Sequence, residues 1–406
     1  MDTPTSAQSR SIKIVSIVAV AALGFSTAAC SSSSESSSPA SASSSSVQLD
    51  DQTKTQLQNV LESVRTSYGF PGVQAGVWTE GDSWTGTSGV AKQGTSQAIA
   101  AADHTRIGSI TKTMTGTVVL QLVEAGSLSM DDVIDKYVPG MPNGSTATIK
   151  NLLEMQSGIP TYTAEVSILN KYSKDPTTTF TPQQLVNSVK GKKPSFAPGT
   201  EFFYSNTNSV LLGMVIEQVT GESISANFQD RLFGPLGMNS SSVPAESLEI
   251  PAPFLSGVSD QADPEGVVKN ATNWSPTLAF TAGEVISTLD DLRKWGQALG
   301  TGDGILNADT QQTREESVNT TVPPNQPSRS YGMGIVNTAG WLGHTGEIPG
   351  YNTVVNFDPV SRTTIVVMVN SDIAKGDPAT APAVAVFDGF LAVLEGSSGA
   401  SATASS

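Results

Sequence analysis

One cysteine, two histidines and few charges bound what this chain of 406 residues can do before any motif is read. A lone Cys30 forms no intramolecular disulfide and builds no thiolate zinc site. His104 and His344 are too few for a multi-histidine centre, so neither a metal nor a cofactor is expected, and the chemistry must come from hydroxyls, amines and carboxylates. Charged residues make up 15% of the chain, against a usual ~25%. The 37 acidic residues outnumber the 22 basic ones, which leaves no positive field to draw in phosphate backbones and argues against nucleic-acid binding. The one basic cluster, Lys190, Lys192 and Lys193, reads as a solvated loop without a role. A G-x-S-x-G elbow and an H-E-x-x-H pair are both missing, which sets aside lipase-type hydrolases and zincins.

The chain opens instead with features of export. Arg10 and Lys13 precede an apolar run over residues 14–25, too short for a membrane span of ~20 residues and suited to a secretory signal. Thr27-Ala28-Ala29 leads into Cys30, and this junction resembles a bacterial lipoprotein lipobox, although Thr27 stands where leucine is usual. The resemblance implies lipid on Cys30 and a chain tethered to the extracytoplasmic face of a bacterial cell membrane. Twelve serines among residues 31–46 have nothing apolar to bury and predict a flexible tether. The expected organisation is a signal peptide over 1–29, a lipidated cysteine and tether over 30–50, a folded region over 51–395 and a disordered tail over 396–406.

Within the folded region, Leu57, Val60, Leu61 and Val64 recur at helical spacing ahead of Gly69 and Pro71. Two strands around the Glu80-Gly81-Asp82 turn follow. From Ser109 an apolar stripe through Ile110, Met114, Val118 and Leu122 predicts a buried helix that stops near Gly126. Residues 128–285 read as mainly helical, and β-branched runs return near the C-terminus before an Ala- and Val-rich helix. Strands from both ends around a helical middle predict an α/β (α+β) fold: one antiparallel sheet, flanked by helices and built from 51–127 and 286–395, with an all-helical part, 128–285, inserted.

Three short patterns carry chemistry. Ser109-Ile110-Thr111-Lys112 is the one S-x-x-K in the chain, at the start of the buried helix. Spacing of three puts both side chains on one face, where burial lets a lysine approach a hydroxyl as a base. The Ser109 N–H at the helix start is free for an oxyanion. Tyr204-Ser205-Asn206 offers a phenol that relays protons and an amide that holds a substrate carbonyl and a lysine together, though Asn206 or Asn208 could equally cap the next helix. His344-Thr345-Gly346 lies between two strands; glycine there lets a substrate backbone lie close, Thr345 can bind a carboxylate or carbonyl, and the Glu347 N–H can complete an oxyanion hole. A structural histidine in a turn is the alternative.

Taken together, S-x-x-K, Y-x-N 95 residues later and H-T-G 140 beyond that resemble the serine β-lactamase-like superfamily. The chain looks most like its D-alanyl-D-alanine carboxypeptidase and class C β-lactamase group, and neighbouring stretches such as AGEVIST and YGMGI match too. The resemblance implies a β-lactamase/transpeptidase-like fold with Ser109 as acylated nucleophile, Lys112 and Tyr204 sharing base and relay work in an order left open, and Asn206, His344, Thr345, Gly346 and Glu347 binding substrate. Implied partners are a cell-wall D-alanyl peptide, a β-lactam or an ester. Two features set this chain apart: no Arg or Lys lies between Ser330 and His344, leaving Arg329 as the nearest cation for a substrate carboxylate, and Glu347 adds an acid after H-T-G. An esterase or amidase on neutral acyl groups and a wall-binding lipoprotein without turnover are the other readings. The oligomeric state is not legible.

Overall fold

The computed structural model describes residues 47–403, except 264, 319, 377 and 378. The signal, Cys30 and nearly all of the serine-rich tether lie outside the described residues. Helix α1 (Asp51–Tyr68) begins where the Asp50 carboxylate accepts from the Thr53 N–H at 2.7 Å, and ends at Gly69, left-handed at φ 75°. Leu57 and Leu61, one turn apart, form its buried stripe. Strands β1 (Gly72–Trp78) and β2 (Ser83–Gly89) make the expected hairpin.

Strand β3 (Thr105–Arg106) leads through a short 3₁₀ turn, Gly108–Ile110, into α2 (Thr111–Glu124). The middle of the chain holds α3 (Ile149–Leu153), α4 (Val166–Lys174), α5 (Pro182–Asn187), α6 (Asn206–Thr220), α7 (Ile224–Phe228) and α8 (Gly234–Leu236). Two-residue strands β4 (Val258–Ser259) and β5 (Lys269–Asn270) pair there, and β6 (Ile286–Ser287) returns to β3. Helices α9 (Leu289–Thr301) and α10 (Ala308–Glu316) precede strands β7 (Arg329–Tyr331), β8 (Val336–Thr338), β9 (Trp341–Ile348), β10 (Tyr351–Asp358) and β11 (Thr363–Val369), then α11 (Pro382–Thr403).

The antiparallel sheet runs β2-β1-β11-β10-β9-β8-β7, so the two ends of the chain meet where β1 pairs with β11, Val73 opposite Val369. Every residue of β11 is buried. Alternation sends Ile365, Val367 and Val369, with Val354 of β10, toward a core shared with α1 and α11. Val366, Met368 and Val355 point the other way, into a core that continues through α2, α6 and α9. A strand covered on both faces reads as one unbroken apolar run, which is what TTIVVMV is.

Helix α2 is buried although four of its first seven residues are threonines. The Thr113 hydroxyl accepts from Trp295 Nε1 at 2.8 Å, Thr115 donates to the Thr281 carbonyl at 2.9 Å, and Thr117 accepts from Arg314 Nη1 at 3.0 Å. Each hydroxyl has a partner, which offsets the cost of burying it. The C-terminal helix corrects the expected disordered tail, since α11 continues past Gly396 to Thr403. Extending a helix already anchored by Phe387, Phe390 and Leu394 needs no new nucleus, so small residues propagate it.

Candidate active site

Two glycines set the position of Ser109. Gly108 sits at φ 54°, and a Cβ there would lie 2.5 Å from the Glu347 backbone nitrogen. A Cβ on Gly346 would meet the Ile107 carbonyl oxygen at 2.0 Å. Sequence reasoning expected Gly346 to admit a substrate backbone; here its bare face is covered by the nucleophile turn itself. The contact is possible because β8 pairs with β9 only as far as Gly343, leaving the edge from His344 onward open to that turn. The Ile107 N–H also donates to the Val285 carbonyl at 3.0 Å, pinning the turn from the other side.

Lys112, one helical turn on, places Nζ 2.8 Å from Ser109 Oγ. The same amine donates to the Ala282 carbonyl at 2.7 Å. Burial alone holds it well below the usual lysine range, with no carboxylate offsetting the effect. Tyr204 completes the triangle. Its ring centroid is 4.9 Å from Lys112 Nζ, and the Ser109 side chain is close enough to act on its hydroxyl. Burial pushes this phenol up, so it stays protonated near neutral pH.

His344 faces the same cluster, its ring centroid 6.0 Å from Tyr204 and 5.8 Å from Tyr331. Burial first, and then the nearby Lys112, pushes the imidazole down to about 3, so it is neutral. Nδ1 faces the Thr345 carbonyl, while Nε2 is buried without a partner among the described residues. With Nδ1 as donor, Nε2 presents a lone pair to its surroundings. Thr345 is half-buried on the same strand, and the exposed Glu347 accepts from Gln261 Nε2 at 3.0 Å.

Asn206 departs from expectation. Its amide donates to Thr163 Oγ1 at 3.2 Å, and its N–H to Thr161 Oγ1 at 3.2 Å. The described bonds of Lys112 run to Ser109 and Ala282, so the lysine-holding role expected of Asn206 falls to a backbone carbonyl. Neither asparagine caps α6: Ser205 takes the N-cap position without a side-chain bond, and Asn208 accepts from Ser157 at 2.8 Å. Ala282, Tyr331 and Gln261 were not singled out by sequence. The first two lie in AGEVIST and YGMGI, whose likeness to the superfamily was the available signal. Arg329, half-buried on β7, acts electrostatically on both Tyr204 and His344, so it does come within range of the site.

The Beta-lactamase family matches residues 57–388, a span that holds Ser109, Lys112, Tyr204 and the H-T-G strand. The chain belongs to the beta-lactamase family. Members of this family are serine hydrolases. The chain is similar to PbpX of Bacillus subtilis (strain 168), with 27% identity over 266 residues that cover 65% of this chain and 61% of PbpX. Among solved structures, a D-stereospecific amidohydrolase from Streptomyces sp. is 30% identical with a TM-score of 0.73, over 82% of this chain and 97% of that one. D-amino acid amidase from Ochrobactrum anthropi SV3 has the same fold at 24% identity, with a TM-score of 0.74 over 86% of this chain and 99% of its own.

Proposed function

We propose that this beta-lactamase-family chain is a serine amidohydrolase that forms an acyl-enzyme on Ser109 and cleaves small D-configured amides or esters. The carrying observation is the buried Lys112 amine, without a countercharge, 2.8 Å from the Ser109 hydroxyl. A desolvated amine is neutral at lower pH than an exposed one, and a neutral amine can take the serine proton. This favours Lys112 as base, with the protonated Tyr204 as relay. The Ser109 Oγ–carbon bond forms as its proton passes to Nζ. The oxyanion is held by the N–H groups of Ser109 and Glu347, the second of which borders Gly108. The carbon–nitrogen bond then breaks, and the leaving amine departs with a proton delivered through Tyr204. Water adds to the acyl-enzyme and gives a proton to the Lys112–Tyr204 pair, which passes it to Ser109 Oγ as the Oγ–carbon bond breaks and the carboxylic acid is freed.

The D-configured amide substrate class follows the likeness to the Streptomyces amidohydrolase. A second reading, a D-alanyl carboxypeptidase or β-lactam-reactive enzyme, is favoured by Arg329, whose charge reaches Tyr204. The reading extends to the leader: lipid on Cys30 holds the chain at the extracytoplasmic face of the membrane. Intact mass of the full chain incubated with D-phenylalanine p-nitroanilide, and separately with benzylpenicillin, tests the chemistry. An adduct on wild type and none on Ser109→Ala supports the acyl-enzyme. A lasting penicillin adduct without amide turnover selects the second reading, and no adduct with either compound refutes both. For the tether, Cys30→Ala should move the protein from the membrane fraction to the soluble one.

A further inference from the structure

We propose that Glu347 is a specificity residue of this site, pairing with the ammonium of acyl donors that carry a free amine beside the scissile carbonyl. The inference rests on the acyl-enzyme reading above. The Glu347 nitrogen lies next to the nucleophile turn, and its side chain leaves the main chain one bond from that nitrogen, a hydrogen bond's length beyond which the carbonyl oxygen is proposed to sit. In an α-amino acyl group the amine is attached to the atom adjoining that carbonyl carbon, within reach of a glutamate carboxylate starting there.

The surroundings of Glu347 call for a cation. Its described side-chain bond comes from a neutral donor, Gln261 Nε2, at 3.0 Å. The same amide donates to Asp372 Oδ2 at 2.6 Å, and Ser259 Oγ donates to that oxygen at 2.7 Å. The second oxygen of Asp372 is buried with no hydrogen-bond partner among the described residues, in a side chain that is 4% exposed. Asp260 adds a third carboxylate to this rim. Desolvation, and to a smaller degree Asp260, raises the Glu347 carboxyl to about 7 against the opposing pull of Gln261, and its exposed surface lets solvent moderate the shift. A substrate ammonium would relieve this repulsion. Among the described residues no group of three acidic or histidine side chains has the spacing for a metal ion, so an organic cation is the better fit.

Charge across the site also has a direction. Arg329 and Glu347 act on the Tyr204 hydroxyl with opposite sign. An acyl half bearing an ammonium is therefore drawn to Glu347 and repelled by Arg329.

The test compares kcat and KM of the full chain on D-phenylalanine p-nitroanilide and its N-acetyl counterpart, for wild type, Glu347→Gln, Glu347→Asp and Glu347→Lys. Wild type is expected to favour the free amine by about tenfold or more in kcat/KM, chiefly through KM. Glu347→Gln should bring the ratio between the two substrates close to one, Glu347→Asp should keep part of it, and Glu347→Lys should invert it. A wild type that hydrolyses both equally, or a preference that survives Glu347→Gln in protein shown to be folded by circular dichroism, overturns the proposal while the acyl-enzyme stands. If wild type forms no adduct on Ser109 with any ester, the underlying reading has failed and the proposal falls with it.

Discussion

Replacing Gly346 by alanine tests whether the nucleophile is positioned by close packing of its turn against β9. The new methyl would sit 2.0 Å from the Ile107 carbonyl oxygen. A carbon–oxygen contact settles at ~3.3 Å, so the turn and strand must part by about 1.3 Å, beyond what side-chain adjustment supplies when the obstacle is backbone. Ile107 precedes Ser109 by two residues, and its N–H is fixed to Val285, so the displacement passes to the serine. Misplacing a reacting group by ~1 Å lowers rate by on the order of 100-fold, while overpacking of this kind destabilises by about 1–3 kcal/mol. Gly346→Ala should therefore remain folded, melt several degrees lower and lose roughly two orders of magnitude in kcat/KM on an activated ester. A folded variant within twofold of wild type would show that the contact does not position Ser109.

Lys112→Met should abolish acylation, read as loss of the mass adduct, yet raise the melting temperature. The folded state depresses the lysine pKa, so near neutral pH burying this amine opposes folding, and an apolar side chain removes that penalty; an unchanged or lower Tm argues against a desolvated, unpaired amine. His344, with its pKa pushed down to about 3, should show no imidazole titration by NMR between pH 8 and 5. Because its folded value lies below its unfolded one, stability should fall as pH drops from about 6.5 toward 3, and His344→Gln should flatten part of that slope in urea titrations. Trp295→Phe removes the bond to Thr113 and should cost about 1 kcal/mol in chemical denaturation; no loss would mean the hydroxyl finds another donor.

The legible parts of this molecule are those whose physics is local. The α1 stripe at Leu57 and Leu61, the hairpin around residues 79–82 and the unbroken apolar run of β11 follow from periodicity, and Ser109 and Lys112 share a face because they are three residues apart. What escaped notice depends on groups that leave no mark in sequence. The acceptor for Lys112 is the backbone carbonyl of Ala282, 170 residues away, and any residue could supply it. Gly346 was correctly marked as a place of close approach, but which backbone approaches is decided by the point where β8 stops pairing. Asn206 has the right chemistry for its expected role, yet its amide and its backbone N–H turn to two threonines that no motif includes, and the lysine donates to Ala282 instead. The reach of Arg329 was undecidable because it depends on how the edge strand β7 sits beside Tyr204.

The largest apolar core among the described residues belongs to no single region: Val355 and Val366 of the sheet, Met114 of the nucleophile helix, and Leu211 and Val215 of the helical middle are one packed cluster. The sheet, the nucleophile helix and the helical middle therefore share their cohesion. Heating has no cheap way to loosen the helical middle while sparing the sheet, so catalysis and near-ultraviolet ellipticity should vanish along one superimposable curve, as for a machine whose working parts are cast in a single block.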